Sequence, residues 1–211
     1  MGKTLQETLP YKARRLIFKI SPRAAERLEF DFAFDAPNRT FLEHEIFGYL
    51  NRCYGSEDKH RKLLFIGIDK HNWHYHRLLH LQFHTIEIKP KNAVYGQPGH
   101  HVVGSATQLP DHYSPETFDV VIANGLIGFG LNSPDDFELL LAGSYHILKP
   151  GGVFVLGYNN TPHRLGFAID NAKSFQYFEP FTPDIDDVKG PYHAIDDEFR
   201  HTYLFLRKPS E

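Results

Sequence analysis

A carboxylate set inside an apolar run is the residue of this chain whose placement most invites chemistry. Glu87 interrupts Thr85-Ile86-Glu87-Ile88, and upstream lies a second apolar run, Leu63-Leu64-Phe65-Ile66-Gly67. Runs of this kind, without alternation, read as strands buried on both faces of a parallel sheet. The glycine that ends the first and the carboxylate within the second make a strand, a crossover and a strand with a nucleotide-type pocket at the mouth. Between them Asp69, His71, His74 and His76 are residue types that hold zinc or iron. Their spacing completes no ligand motif: on a helix His74 and His76 point to different faces, and it is His76 and His80 that share one. Solvent-facing or capping roles are the plainer reading, and no metal is expected. A histidine here could also move a proton, since it titrates near neutrality.

The elements that must position these groups follow from pattern. Ser21-Pro22 caps a short helix through Arg27, and Phe30 to Asp35 alternates like an edge strand or lid. Thr40 and Glu43 form a capping-box pair opening a helix with Leu42, Ile46, Phe47 and Leu50 on one face, stopped by Gly55. Trp73 to Leu81 suits a crossover helix. Strands are predicted at Phe83 to Lys89, His101 to Val103 and Phe118 to Asn124, with a short turn near Asn92 to Tyr95. Ser133-Pro134-Asp135-Asp136 starts a helix to Leu148, ended by Lys149-Pro150-Gly151-Gly152, and a strand follows from Val153 to Gly157. Thr161-Pro162 is read as the cap of another helix to Lys173. Phe175 to Phe178 and His201 to Leu206 then form an antiparallel pair at one end of the sheet.

Composition bounds the function classes. The 211 residues carry a net charge of −3 and one cysteine, Cys53. That suits one principal domain with one core, which needs no disulfide. The segment Met1 to Gln6 lacks a signal-type apolar stretch, Gln6 stands where a lipidation pattern wants Ser or Thr, and no run is long enough to span a bilayer. A cytoplasmic protein is expected, with neither membrane nor nucleic acid as partner and homo-oligomerisation left open. Lys12, Arg14, Arg15, Lys19 and Arg23 make either a local basic patch or the solvated face of a helix.

Residues 41 to 208 resemble the class I S-adenosylmethionine-dependent methyltransferases. The likeness rests on Phe118-Asp119-Val120-Val121-Ile122, the helix after it, Leu148-Lys149-Pro150-Gly151-Gly152-Val153 and the final strand pair. It implies an α/β, doubly wound, Rossmann-like methyltransferase fold, with a mostly parallel seven-stranded sheet whose last strand is antiparallel. Residues 1–40 would be an N-terminal helical or lid segment and 41–211 the α/β domain.

The resemblance also implies a site. Glu87 would accept hydrogen bonds from both ribose hydroxyls of S-adenosylmethionine, unless it is an ordinary strand-end carboxylate in a salt bridge. Ile88 adjoins it, and Ser105 and Ala106 match the loop along the adenine edge, with Ser105 where the family often has aspartate. In the first glycine loop only Gly67 survives; Phe65 replaces the usual acid, leaving Gly67, Ile68 and Asp69 to meet the methionine portion. Asn124 would close the cofactor site. Beyond the fourth and fifth strands, His163 would be the base, and Tyr158 and Asn159 would orient a small-molecule oxygen or nitrogen acceptor. Two other readings stay open: the scaffold reused for other chemistry, with a metal near Asp69 and His71, or a binding protein without cofactor affinity.

Overall fold

The computed structural model describes residues 9–28, 32, 34–57 and 59–210. The segment Met1 to Gln6 and half of the Phe30 to Asp35 stretch, Phe30, Asp31 and Ala33, lie outside them. Helices α1 (Tyr11–Ile20) and α2 (Pro22–Arg27) come first. Then α3 (Pro37–Thr40), a π-helical stretch (Phe41–Ile46) and α4 (Phe47–Tyr54) form one helical run that passes residue 40 without a break. Eight strands follow: β1 (Lys62–Ile66), β2 (Gln82–Glu87), β3 (His101–Val103), β4 (Phe118–Asn124), β5 (Leu148–Asn159), β6 (Glu179–Pro180), β7 (Tyr192–Ala194) and β8 (His201–Arg207). Helices α5 (Tyr75–Leu78), α6 (Leu109–His112) and α7 (Pro134–Ile147) lie among them.

The sheet order is β3-β2-β1-β4-β5-β8-β6, with β7 also pairing β8. The first five of these are mutually parallel, and β8 runs antiparallel to β5. The expected mostly parallel sheet with a reversed last strand is present. The count rises to eight because β6 and β7, two and three residues long, both pair with β8. The chain moves outward from β1 to β2 and β3 and then returns to β4, so the order reverses between β1 and β4. That reversal opens a crevice at the carboxyl ends of the strands.

Side-chain alternation sorts the apolar runs into two cores. Leu63, Phe65, Val120, Ile122, Val155 and Phe205 face the helical run, which contributes Leu42, Ile46, Phe47 and Leu50. Leu64, Ile66, Val121, Phe154, Leu156 and Leu204 face α7, which contributes Phe137, Leu140 and Leu141. Helix α7 starts as its sequence dictates, with Ser133 Oγ accepting from the Asp136 N–H at 3.0 Å.

Four elements depart from expectation. Thr40 does not cap a helix: it is already helical, and its hydroxyl donates to Asp35, because Pro37 starts the run earlier. The crossover helix from Trp73 shrinks to α5. Trp73, Tyr75, Leu79 and Leu81 are all buried, at spacings of two, four and two that a regular helix would not keep on one face. No α-helix follows Thr161-Pro162. Leu165, Phe167 and Ile169 pack on one core at alternate positions, an extended spacing, and only a 3-10 turn forms at Ile169–Asn171. Phe175 to Phe178 is not a strand but falls largely within a 3-10 turn, Lys173–Tyr177, that presents Phe178 to the core. Helix α1 lies where the sequence offered a solvated helix face for Lys12 to Arg23, though without bounds.

Candidate functional site

The crevice is built first by β1 and β2. Gly67 ends β1 with φ +85°, and a Cβ there would stand 3.3 Å from the Leu126 side chain, so both conformation and space call for glycine. Its N–H bonds the Ile86 carbonyl at 2.8 Å, which holds the loop against the end of β2. Glu87 is half-buried there. Its Oε2 accepts from the Ile68 N–H at 3.3 Å and its Oε1 from the Lys89 N–H at 2.8 Å. A carboxylate has about four lone-pair positions, so each oxygen keeps one for a further donor. The Ile68 side chain is buried, and its contribution to the site is its backbone.

Where glycines would be expected next, the loop is tied to itself. The Asp69 N–H donates to Asn72 Oδ1 and Asp69 Oδ1 accepts from the His71 N–H, both at 2.7 Å, while the Asn72 amide donates to the Gly67 carbonyl at 3.3 Å. Phe65 has left the site altogether; it is a core residue with its ring edge-on to Tyr75. Ile88 is 63% exposed beside Glu87, and Val103 is 45% exposed at the end of β3, so an apolar strip lies open along this edge. Ser105 caps the turn Ala106–Gln108, accepting from the Thr107 N–H at 3.2 Å and lying 2.8 Å from the Thr107 hydroxyl.

The histidine cluster disperses. His71 Nδ1 meets the Phe32 carbonyl at 2.7 Å, His76 Nδ1 meets the Trp73 carbonyl at 2.8 Å, and His74 Nε2 lies 3.7 Å from Glu43. Among the described residues no three His, Cys, Asp or Glu side chains converge as metal ligands.

The second half of the crevice is a network sequence reasoning missed. His201, the first residue of β8, is buried with Nδ1 at 2.7 Å from Asn159 Oδ1 and Nε2 at 3.0 Å from Asn124 Oδ1. Asn124 ends β4 and Asn159 ends β5, so one imidazole joins the tips of three strands. Gly157 makes room for it: a Cβ there would collide with the Asn124 amide oxygen and reach Tyr203 at 2.8 Å. Burial pushes His201 down to about 4, Asp197 opposing that shift and Arg39 adding to it. A neutral ring carries one N–H and one bare nitrogen, so it holds one amide by its oxygen and the other by its NH2. Because β8 runs antiparallel to β5, its first residue rather than its last lies at the carboxyl edge, and that direction was the available signal.

Above this network the N-terminal run supplies Arg39 and Glu43. Arg39 donates to the His71 carbonyl at 3.0 Å and to the Tyr75 hydroxyl at 3.4 Å, and the buried Tyr203 hydroxyl donates to the Asn38 carbonyl at 2.7 Å. Burial works to raise the Glu43 carboxyl, but hydrogen bonding and charge from His74, with Tyr75 and Arg39, leave it lowered. Tyr158 projects to the opposite face of the sheet from Asn159, where burial pushes its phenol up to about 12. His163 is exposed on the turn after β5 and makes no bond to either. The structure therefore brings Gly67, Ile68, Asp69 and Glu87 together in one group and Asn124 and Asn159 in another, with Tyr158 and His163 apart.

Two hollows flank the sheet. One of about 360 Å3, lined by Tyr54, Arg61, Asp119 and Lys149, lies at the amino edge, where Asp119 bonds Lys149 at 2.8 Å. The other, about 650 Å3, is lined by Asp35, Pro37, Phe41, Glu45 and Ile195. Glu87 lines neither; it stands on an open edge.

Comparison with known proteins fits this geometry. Residues 72–156 match a family model described as a methyltransferase domain. Demethylmenaquinone methyltransferase of Anoxybacillus flavithermus is 36% identical over 80 residues, 38% of this chain and 31% of that protein. The Bacillus subtilis protein of the same name is 35% identical over 78 residues, covering 37% and 31%. The matched part spans less than a third of these relatives. Among solved structures, the N-methyltransferase NodS of Bradyrhizobium japonicum with S-adenosylhomocysteine superposes with a TM-score of 0.62 at 13% identity, covering 83% of this chain and 89% of that one. The 1,6-didemethyltoxoflavin-N1-methyltransferase of Burkholderia thailandensis gives 0.52 at 15% identity, covering 85% and 93%. At such identities the likeness is one of fold.

Proposed function

We propose that this chain, whose residues 72–156 match a methyltransferase-domain model, transfers a methyl group from S-adenosylmethionine to an oxygen or nitrogen of a small molecule. The observation that carries this is Glu87, half-buried at the carboxyl end of β2 beside a positive-φ glycine, with lone pairs left over from its two backbone donors. The residues fit the group. Glu87 would hold the ribose diol, Ile88 and Val103 would lie against the base, and Ser105 and Ala106 would border its edge. Gly67 lets the chain pass close, Ile68 steadies the carboxylate, and the remaining oxygen of Asp69 is available to an ammonium.

The bound cofactor would supply a methyl carbon on a sulfonium, whose carbon–sulfur pair stays with sulfur as an acceptor lone pair forms the new bond. The chain's part is positioning and electrostatics rather than covalent catalysis. Asn124 and Asn159, locked by His201, would orient the acceptor, and His163, exposed on the turn after β5, would have to move toward them to take the acceptor's proton. Tyr158, its phenol held protonated on the opposite face of the sheet from Asn159, would not serve as a base.

Calorimetric titration with S-adenosylmethionine and S-adenosylhomocysteine tests this reading. We expect saturable one-site binding, and a loss of about 1.5–3 kcal/mol, or roughly ten- to a hundredfold in affinity, in Glu87→Ala. No binding by the folded wild-type chain would remove the assignment.

A further inference from the structure

A strongly charged patch on the N-terminal helices is not used by methyl transfer. From residue 9 to residue 28 the chain carries Lys12, Arg14, Arg15, Lys19, Arg23 and Arg27 against a single acid, Glu26, a net +5 in a chain whose total is −3. Glu26 is itself engaged, 2.7 Å from Arg77 of α5. The rest of the molecule is therefore acidic and this corner is basic.

Packing fixes which side of α1 faces outward. Phe18 is buried, stacked on Tyr95 at 5.6 Å and edge-on to Trp73 at 5.2 Å. On the other side Lys12, Arg15 and Lys19 are exposed, and next to them Leu16 and Ile20 stand 58% and 70% exposed. Leu16 and Ile20 are four residues apart and so share a stripe. A solvated face made only for solubility would not carry two bare aliphatic groups beside a row of cations. An interfacial helix carries both, because apolar insertion and attraction to anionic headgroups act together.

We propose that α1 docks this protein onto an anionic lipid bilayer, Leu16 and Ile20 entering the acyl boundary while Lys12, Arg15, Lys19 and Arg23 meet headgroup phosphates. No helix among the described residues is long and apolar enough to cross a membrane, so the attachment is peripheral. The proposal departs from the expectation of no membrane partner, which rested on the absence of a spanning run and of a lipidation pattern. A nucleic acid would satisfy the cations but leave both aliphatic side chains in water, and α1 exposes one aromatic ring, Tyr11, where single-stranded forms are gripped by several in succession. A second copy packed through the same helix would set like charges against each other.

The test is co-sedimentation of the full chain with phosphatidylcholine vesicles and with vesicles that also contain phosphatidylglycerol. We expect binding only to the anionic vesicles, fading as salt is raised to about 0.5 M, where charges are screened over a few ångströms. The pair Leu16→Ser with Ile20→Ser and the pair Lys12→Glu with Lys19→Glu should each weaken binding about tenfold or more, while thermal melts and S-adenosylhomocysteine titrations stay as in the wild type. Absence of anionic-vesicle binding overturns the proposal. So does undiminished binding in the Leu16/Ile20 pair, polyuridylate binding that outcompetes vesicles, or a solution dimer that the Leu16/Ile20 pair dissolves.

Discussion

One buried and one half-buried imidazole give this molecule an acid limit. Burial pushes His201 down to about 4, and burial together with His100 and Lys62 does the same to His84. In the unfolded chain each ring takes a proton near about 6.5. As pH falls below that value the unfolded chain gains protons the folded one refuses, so stability drops through the window down to about 4 and then no longer changes on this account. Urea midpoints measured across that range should fall, and His201→Gln should fall less steeply. Asn159→Asp would set a carboxylate where the amide oxygen now lies 2.7 Å from the ring, raising the His201 titration point; an imidazole titration by NMR checks it. Phe65→Glu would place an unpaired charge against Tyr75 and Phe83. We expect a loss of about 3–5 kcal/mol, read as a lowered denaturation midpoint. Glu87 and Gly67 were legible in the sequence because a lone carboxylate and a glycine punctuate apolar runs. His201 was not, because its partners are joined only by strand order and its neighbours in the chain, Arg200 and Thr202, say nothing of Asn124.

At the scale of elements, local signals succeeded where capping and burial agreed. Ser133 caps α7 through the Asp136 N–H, and Ser133→Ala should cost about 1 kcal/mol, lowering the melting temperature by roughly 2–4 °C. The signals failed where packing demanded another period. Thr161-Pro162 has the form of a helix start, but Leu165, Phe167 and Ile169 reach the core at every second residue, and Phe167 lies 5.4 Å from Phe137. Gly157, read as the end of a strand, lies within β5 and leaves the space that the Asn124 amide fills. Gly157→Ala should therefore destabilise by about 1–3 kcal/mol through overpacking and shift the side-chain amide resonances of Asn124 and Asn159 together, a coupling that an ordinary core defect would not produce.

The whole molecule divides into a sheet that the sequence announces and a roof that it conceals. Period and punctuation expose β1 to β5 and α7 because both faces of the sheet are covered and the strands are almost purely apolar. The N-terminal roof is amphipathic and basic, its attachment resting on few residues, and its helical start at Pro37 competes with the Thr40 signal. Phe18 is the peg that fastens α1 between Tyr95 and Trp73, the sole tryptophan of the chain. Phe18→Ala should cost about 3–5 kcal/mol if the roof and sheet melt together, and should shift Trp73 fluorescence to longer wavelength as the ring is wetted.

Strand β8 completes the sheet between β5 and the short pair β6 and β7, and carries His201 to the edge where β4 and β5 end. During synthesis everything from β1 to β5 leaves the ribosome before that strand exists, so a growing chain holds the carboxylate half of the crevice while the two asparagine tips hang without their clamp. Until the last residues emerge, β5 also presents an unpaired border to any neighbour. A stop codon before residue 201 would therefore leave a fragment with a sticky strand border and with Asn124 and Asn159 unclamped.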